Sequence, residues 1–107
     1  MNNNKIKSAC MEVIGVRLFH PKQNRAVVSM FTDIVSGIEQ NPGNIVGASL
    51  YGSANVETDW AIHLYRNAGE NHPEKTGIGI HLAKALSSFG LVNHSVWCAC
   101  KNPTKVS

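Results

Sequence analysis

Charge is scarce in this 107-residue chain: 16% of residues are charged and 43% are hydrophobic. So little charge leaves apolar surface that a partner chain can share. The basic residues are scattered from Lys5 to Lys105, with no run and no helical stripe. That spread argues against nucleic-acid binding. No stretch approaches the roughly 18 consecutive apolar residues of a membrane span. The opening MNNNKIKSAC lacks the apolar core of a signal peptide. The expectation is a cytoplasmic protein whose three cysteines, Cys10, Cys98 and Cys100, are reduced thiols rather than a disulfide framework. Motifs are also missing. Gly77 and Gly79 make no phosphate-binding loop, and no serine elbow occurs. Asp33, Glu57, Asp59, Glu70 and Glu74 show no spacing that pairs them as acid and base. No internal repeat is evident.

What is present is a regular alternation of elements. Residues 10–20 read as a strand, with Ile14, Val16 and Leu18 on one face and Val13, Arg17 and Phe19 on the other. His20-Pro21 ends it, because proline cannot continue a ladder. Val27, Met30, Phe31, Ile34, Val35 and Ile38 form one face of a helix over 22–40. Asn41-Pro42-Gly43 is a turn. Strands follow at 44–52 and 59–66, then a helix over 75–89 with a stripe of Ile78, Leu82, Ala85, Leu86 and Phe89. Gly90 is placed to terminate that helix. Residues 91–100, LVNHSVWCAC, read as the last strand.

The order βαββαβ with right-handed crossovers gives an α+β, ferredoxin-like domain. Its four-stranded antiparallel sheet has spatial order 4-1-3-2, with both helices on one face. The domain is expected over 10–101, between polar tails at 1–9 and 102–107. The helix-facing layer should hold Ile14, Val16, Leu18, Val46, Leu50, Trp60, Ile62, Leu64 and Val96. The other face should carry Val13, Arg17, Phe19, Ile45, Ser49, Tyr51, His63, Tyr65, Ser95 and Trp97. That face is too aromatic to lie bare in water, and a second copy would cover it in a two-fold homodimer.

Chemistry-bearing residues divide between the two layers. A strand rises about 3.3 Å per residue, so His94 and Cys98 lie roughly 13 Å apart and cannot share one metal. Cys10, Cys98 and Cys100 share the parity of the helix-facing layer and meet at one sheet edge, where free cysteine behaves as a small buried hydrophobe. No metal is expected. His94 also faces the helices, near Val16 if Cys10 lies opposite Cys100. It is either a hydrogen-bonded core histidine or a base lining a pocket. His63 shares its face with Arg17, Tyr51, Tyr65 and Trp97, a set suited to an interface and capable of lining a polar pocket. His81 falls on the exposed side of the second helix, and His72 sits in a loop. His20 ends the first strand or marks a pocket mouth.

A split βαββαβ unit with a non-polar open sheet face resembles the dimeric α+β barrel superfamily, in its antibiotic-biosynthesis-monooxygenase-like branch. The segments DWAIHLYR and KTGIGIHLAKALSSFGLVNHSVW carry the resemblance, which spans about residues 10–100. It implies the fold strongly and the activity weakly. Members include cofactor-free quinol oxygenases, haem-degrading enzymes, muconolactone isomerase and domains with no known reaction. Many hold a ligand between helices and sheet. Trp60 and His81 resemble the strand tryptophan and helix histidine of the haem-degrading branch. Their spacing differs and no matching asparagine stands near the chain start, so no cofactor is expected. The resemblance therefore implies a cofactor-free monooxygenase-like enzyme for an aromatic or quinol-like small molecule. His94 would be the catalytic proton acceptor, with Trp60, Asn93, His63, Tyr65 and Arg17 binding substrate. The alternative is a non-catalytic ligand-binding or structural dimer.

Overall fold

The computed structural model describes residues 9–67 and 74–99. Residues 1–8 of the tail expected at 1–9, the tail at 102–107, the loop histidine His72, and Cys100 lie outside the described residues. The elements are β1 (Ala9–Leu18), α1 (Asn24–Gln40), β2 (Ile45–Gly52), β3 (Asp59–Asn67), α2 (Gly77–Leu86) and β4 (Gly90–Cys98). The strands form one antiparallel sheet in the order β2-β3-β1-β4, which is the expected 4-1-3-2 read from the other edge.

Both helices pack on one face. Ile14, Ile62 and Leu64 from the sheet meet Val27, Leu82 and Leu86 from the helices, all fully buried. Each such side chain contributes about 1.5–3 kcal/mol by leaving water. The helical faces match the periodicity. Arg25, Ser29, Thr32, Ser36 and Glu39 of α1 are all exposed.

Several boundaries differ from expectation for physical reasons. β1 stops at Leu18 rather than His20, because Pro21 opens a 3-10 turn over Pro21–Gln23 that precedes α1. α2 starts at Gly77, behind Thr76, whose hydroxyl accepts the Gly79 N–H at 2.9 Å as an N-cap. Gly90 does not end the helix; it begins β4, paired with Leu18. A side chain there would overlap the Arg17 backbone carbonyl, so only glycine lets β4 lie this close to β1.

Two register expectations are corrected. A bulge between Ile45 and Gly47 reverses the start of β2, so Ile45 is buried and Val46 is 64% exposed. The bulge inserts one residue and exchanges the faces of the residues before it. Cys10 pairs with Cys98 rather than Cys100, which sets His94 opposite Ile14 rather than Val16. The expectation of free thiols also fails for this pair: Cys10 and Cys98 are joined by a disulfide, with Cα atoms 4.0 Å apart. Directly opposite residues of antiparallel strands come close enough for that bond.

Candidate functional site

Alternation along β1 sends Cys10, Glu12, Ile14, Val16 and Leu18 toward the helices. Four of these are apolar or sulfur-bearing. Glu12 is a carboxylate with no exposed surface. Such a group survives in a core only if its oxygens are fully engaged. The Glu12 oxygens are. Oε2 lies 2.6 Å from His94 Nε2, and Oε1 accepts the Thr76 hydroxyl at 2.7 Å. The Thr76 backbone N–H reaches both oxygens, at 3.1 and 3.2 Å. The guanidinium of buried Arg66 stands 3.7 Å away through Nη1, which also donates to the Glu74 carbonyl at 2.6 Å.

The site is thus assembled from three strands and a helix start. β1 brings Glu12, β4 brings His94, β3 brings Arg66, and the N-cap of α2 brings Thr76. The carboxylate lies at the positive end of the α2 dipole, which favours its charge. Gly79 completes the arrangement. A methyl group there would overlap the Glu12 carboxyl, so the glycine leaves the volume that the carboxylate fills.

The chemical consequence falls on His94, whose side chain is 10% exposed. A carboxylate at Nε2 fixes the proton there and leaves Nδ1 with the lone pair when the ring is neutral. Nδ1 has no hydrogen-bond partner among the described residues. A histidine oriented by a buried carboxylate is suited to accept a proton.

The other expected site residues do not gather around it. Trp60 shares the helix-facing layer, opposite Val16, and donates its indole N–H to Asn24 Oδ1 at 3.0 Å. Strand spacing sets Trp60 and His94 about 12 Å apart at their backbones. Asn93, His63, Tyr65 and Arg17 lie on the opposite face of the sheet. The expectation that Asn93 or Tyr65 orients a substrate at His94 is therefore corrected: adjacent strand residues point to opposite sides, and the sheet separates them.

The open face carries its own polar cluster. The Tyr51 and Tyr65 hydroxyls are 3.1 Å apart, and the His63 ring lies 4.6 Å from Tyr51 and 6.1 Å from Tyr65. The hydrogen bonds from Tyr65 and Ser49 push the Tyr51 phenol below its ordinary pKa. The same Tyr51 contact, followed by burial, pushes Tyr65 up. Arg17 grips Asp59 with two bonds of 2.7 Å. That pairing raises the Arg17 pKa and lowers that of Asp59.

Two clefts among the described residues are not lined by His94 or Trp60. One of about 300 Å³ lies between α1 and β2, bordered by Val35, Ile38, Pro42 and Ala48. The other, about 270 Å³, lies between the helices beside Met30, Asp33, Ile34 and His81. No group of three or more His, Cys, Asp or Glu side chains placed to hold a metal occurs among the described residues. No helix among them is long and apolar enough to cross a membrane.

The sequence assigns no site role to Glu12, Arg66, Thr76 or Gly79. The available signal was parity: Glu12 is the one acidic residue on the apolar side of the first strand.

No family model matches the chain, and no curated protein sequence matches it. Solved structures do match. SnoaB, a cofactor-independent oxygenase from Streptomyces nogalater, is 13% identical, with a TM-score of 0.61 over 92% of this chain and 99% of its own. A candidate antibiotic biosynthesis monooxygenase from Caulobacter crescentus is 11% identical, with a TM-score of 0.61 over 87% of this chain and 89% of its own. A dimeric ferredoxin-like protein from an uncultured marine organism is 10% identical, with a TM-score of 0.61 over 92% and 94%. At such identities the likeness is one of fold: the chain has the ferredoxin-like α+β fold of the antibiotic-biosynthesis-monooxygenase-like proteins.

Proposed function

We propose that the protein is a small-molecule enzyme of the cofactor-free oxygenase kind, with His94 as the base and Glu12 as the residue that orients it. The single observation behind this reading is the 2.6 Å contact between His94 Nε2 and a carboxylate with no exposed surface. The fold shared with SnoaB supports it. The substrate class is an electron-rich phenol or quinol-like aromatic with an oxidisable methylene. His94 Nδ1 takes a proton from it, and the resulting anion is the species that reacts with dioxygen. One oxygen atom replaces the two methylene hydrogens as a carbonyl, and the other leaves as water, so the dioxygen is fully consumed. The protein acts as a homodimer joined through the open sheet face.

A second reading has its own observation. Glu12, Thr76 and Arg66 also fasten α2 to the sheet, so the same network serves a non-catalytic dimer.

The test is dioxygen uptake with anthrone as probe, in metal-chelated buffer without flavin. We expect turnover with one atom of labelled dioxygen in the product. His94→Gln should lower kcat by about 100-fold or more, the lower range for loss of a positioned base. Glu12→Gln should lower it less. Unchanged turnover in His94→Gln removes the base assignment. If His94→Gln only lowers stability and no phenol is oxidised, the second reading stands.

A further inference from the structure

We propose that the Cys10–Cys98 disulfide is a thiol-exchange site whose co-substrate is a dithiol, with Cys98 Sγ the attacked sulfur and Cys10 the leaving thiol. This inference goes beyond the oxygenase reading and does not depend on it.

The two cysteines differ in exposure. Cys98 is exposed at the last position of β4, whereas Cys10 is 5% exposed. Thiol–disulfide exchange needs a thiolate to reach the attacked sulfur, so access selects Cys98. β4 is an edge strand, bonded on one side only, to β1. The disulfide clamps its end. Among the described residues the Cys98 side chain makes no hydrogen bond or ion pair beside the disulfide.

The clamp sits in the ladder that carries the buried carboxylate. Successive pairs on the helix-facing side are Cys10 with Cys98, Glu12 with Val96, and Ile14 with His94. Both members of the Glu12–His94 contact stand on the strands that the disulfide joins. Opening it frees the end of β4 within four residues of His94.

The exchange balances. A thiolate of the dithiol attacks Cys98 Sγ and forms a mixed disulfide. The Cys10–Cys98 bond breaks, and Cys10 departs as a thiolate that takes up a proton. The second thiol of the co-substrate then attacks the mixed disulfide, releasing Cys98 as a thiol and leaving the co-substrate oxidised. Two electrons pass from the dithiol to the protein.

The experiment uses the full chain with Cys100→Ser, so that only the two bonded cysteines take part. Trypsin, cutting after Lys7, Arg17, Lys84 and Lys101, places Cys10 in peptide 8–17 and Cys98 in peptide 85–101. Loss of the linked pair after dithiothreitol treatment and alkylation reports reduction. We expect reduction of the folded protein at a rate insensitive to urea below the unfolding transition. Reduction through global unfolding would instead accelerate about tenfold per molar urea. Stopping the reaction with glutathione as a monothiol should leave glutathione on peptide 85–101 and the alkyl group on peptide 8–17. Amide exchange at residues 96–98 should rise by about tenfold or more on reduction, as expected for a released strand end. A urea-dependent rate, or no reduction short of unfolding, makes the disulfide a structural cross-link and overturns the proposal. Glutathione on peptide 8–17 overturns the assignment of the attacked sulfur, as does the absence of any linked peptide.

Discussion

Glu12 and Asp59 are both carboxylates beside an arginine, yet their physics differs. Asp59 holds Arg17 in a bidentate pair at the surface, where water and salt weaken the attraction. Its pKa is lowered, chiefly by the Arg17 hydrogen bond. A carboxyl with a depressed folded pKa adds stability above its unfolded pKa and loses it as pH falls through the folded value. The stability gap between the protein and Asp59→Asn should therefore be widest near neutrality. It should close as pH drops below the ordinary carboxylate range, and shrink in about 1 M salt, where screening acts over a few ångströms. Urea melts across pH check this, and a gap that grows on acidification sinks it. Glu12 answers to different rules, because burial leaves its partners no solvent to fall back on. Its role was visible in principle, since an acidic residue on an apolar strand face must be paired. What the sequence could not show is the pairing itself. His94 lies 82 residues away and Thr76 lies 64 away, and only the register brings them together.

At the scale of elements, α2 is held by its first turn. Thr76 caps the helix and binds Glu12 at once, and Gly79 gives the carboxyl its space. Gly79→Ala sets two effects against each other. In an exposed helix interior the change stabilises by about 1 kcal/mol through helix propensity. Here the added methyl meets a fully buried carboxyl, and overpacking of that kind costs about 1–3 kcal/mol, with the loss of charge-assisted bonds in addition. The net expectation is destabilisation by about 1–3 kcal/mol in urea unfolding. A stabilised Gly79→Ala would mean the carboxyl can move aside freely. The helices and strands themselves were legible from periodicity, because Val27 to Ile38 and Ile78 to Leu86 repeat with a helical period. The start of β2 was not. Ile45 and Val46 are both β-branched and apolar, so either can face the core, and the bulge that chooses Ile45 is a backbone event with no side-chain signature. The disulfide was missed for a related reason. The sequence brought Cys10 near both Cys98 and Cys100, and the choice between them turns on a two-residue shift in strand pairing.

At the scale of the whole molecule, no helix or strand among the described residues covers one face of the sheet. Trp97 is 61% exposed and Tyr51 48%, with Met11, Val13, His63 and Tyr65 between them partly exposed. The helices occupy the other side, so no described element buries this surface. A second copy can, because a two-fold axis sets the same patch against itself. The composition suits an interface, with tyrosine and tryptophan on the face and the Arg17–Asp59 pair as a neutralised polar element. A stable pairing of this kind buries about 1,200–2,000 Å² in total, within reach of a four-stranded face. Tyr65 is the informative position, since its hydroxyl meets Tyr51 and its ring neighbours His63. Tyr65→Glu removes that contact and places a carboxylate where a partner on this face would exclude water. An unpaired buried charge costs about 3 kcal/mol or more, which weakens dimerisation by at least about a hundredfold. The wild type should sediment as a dimer at micromolar concentration. Tyr65→Glu should sediment as a monomer with an unchanged circular dichroism spectrum, because the substitution touches no residue of the helix-covered core. A monomeric wild type would show that this face stays open in solution, and a dimeric Tyr65→Glu would move the interface elsewhere on the chain.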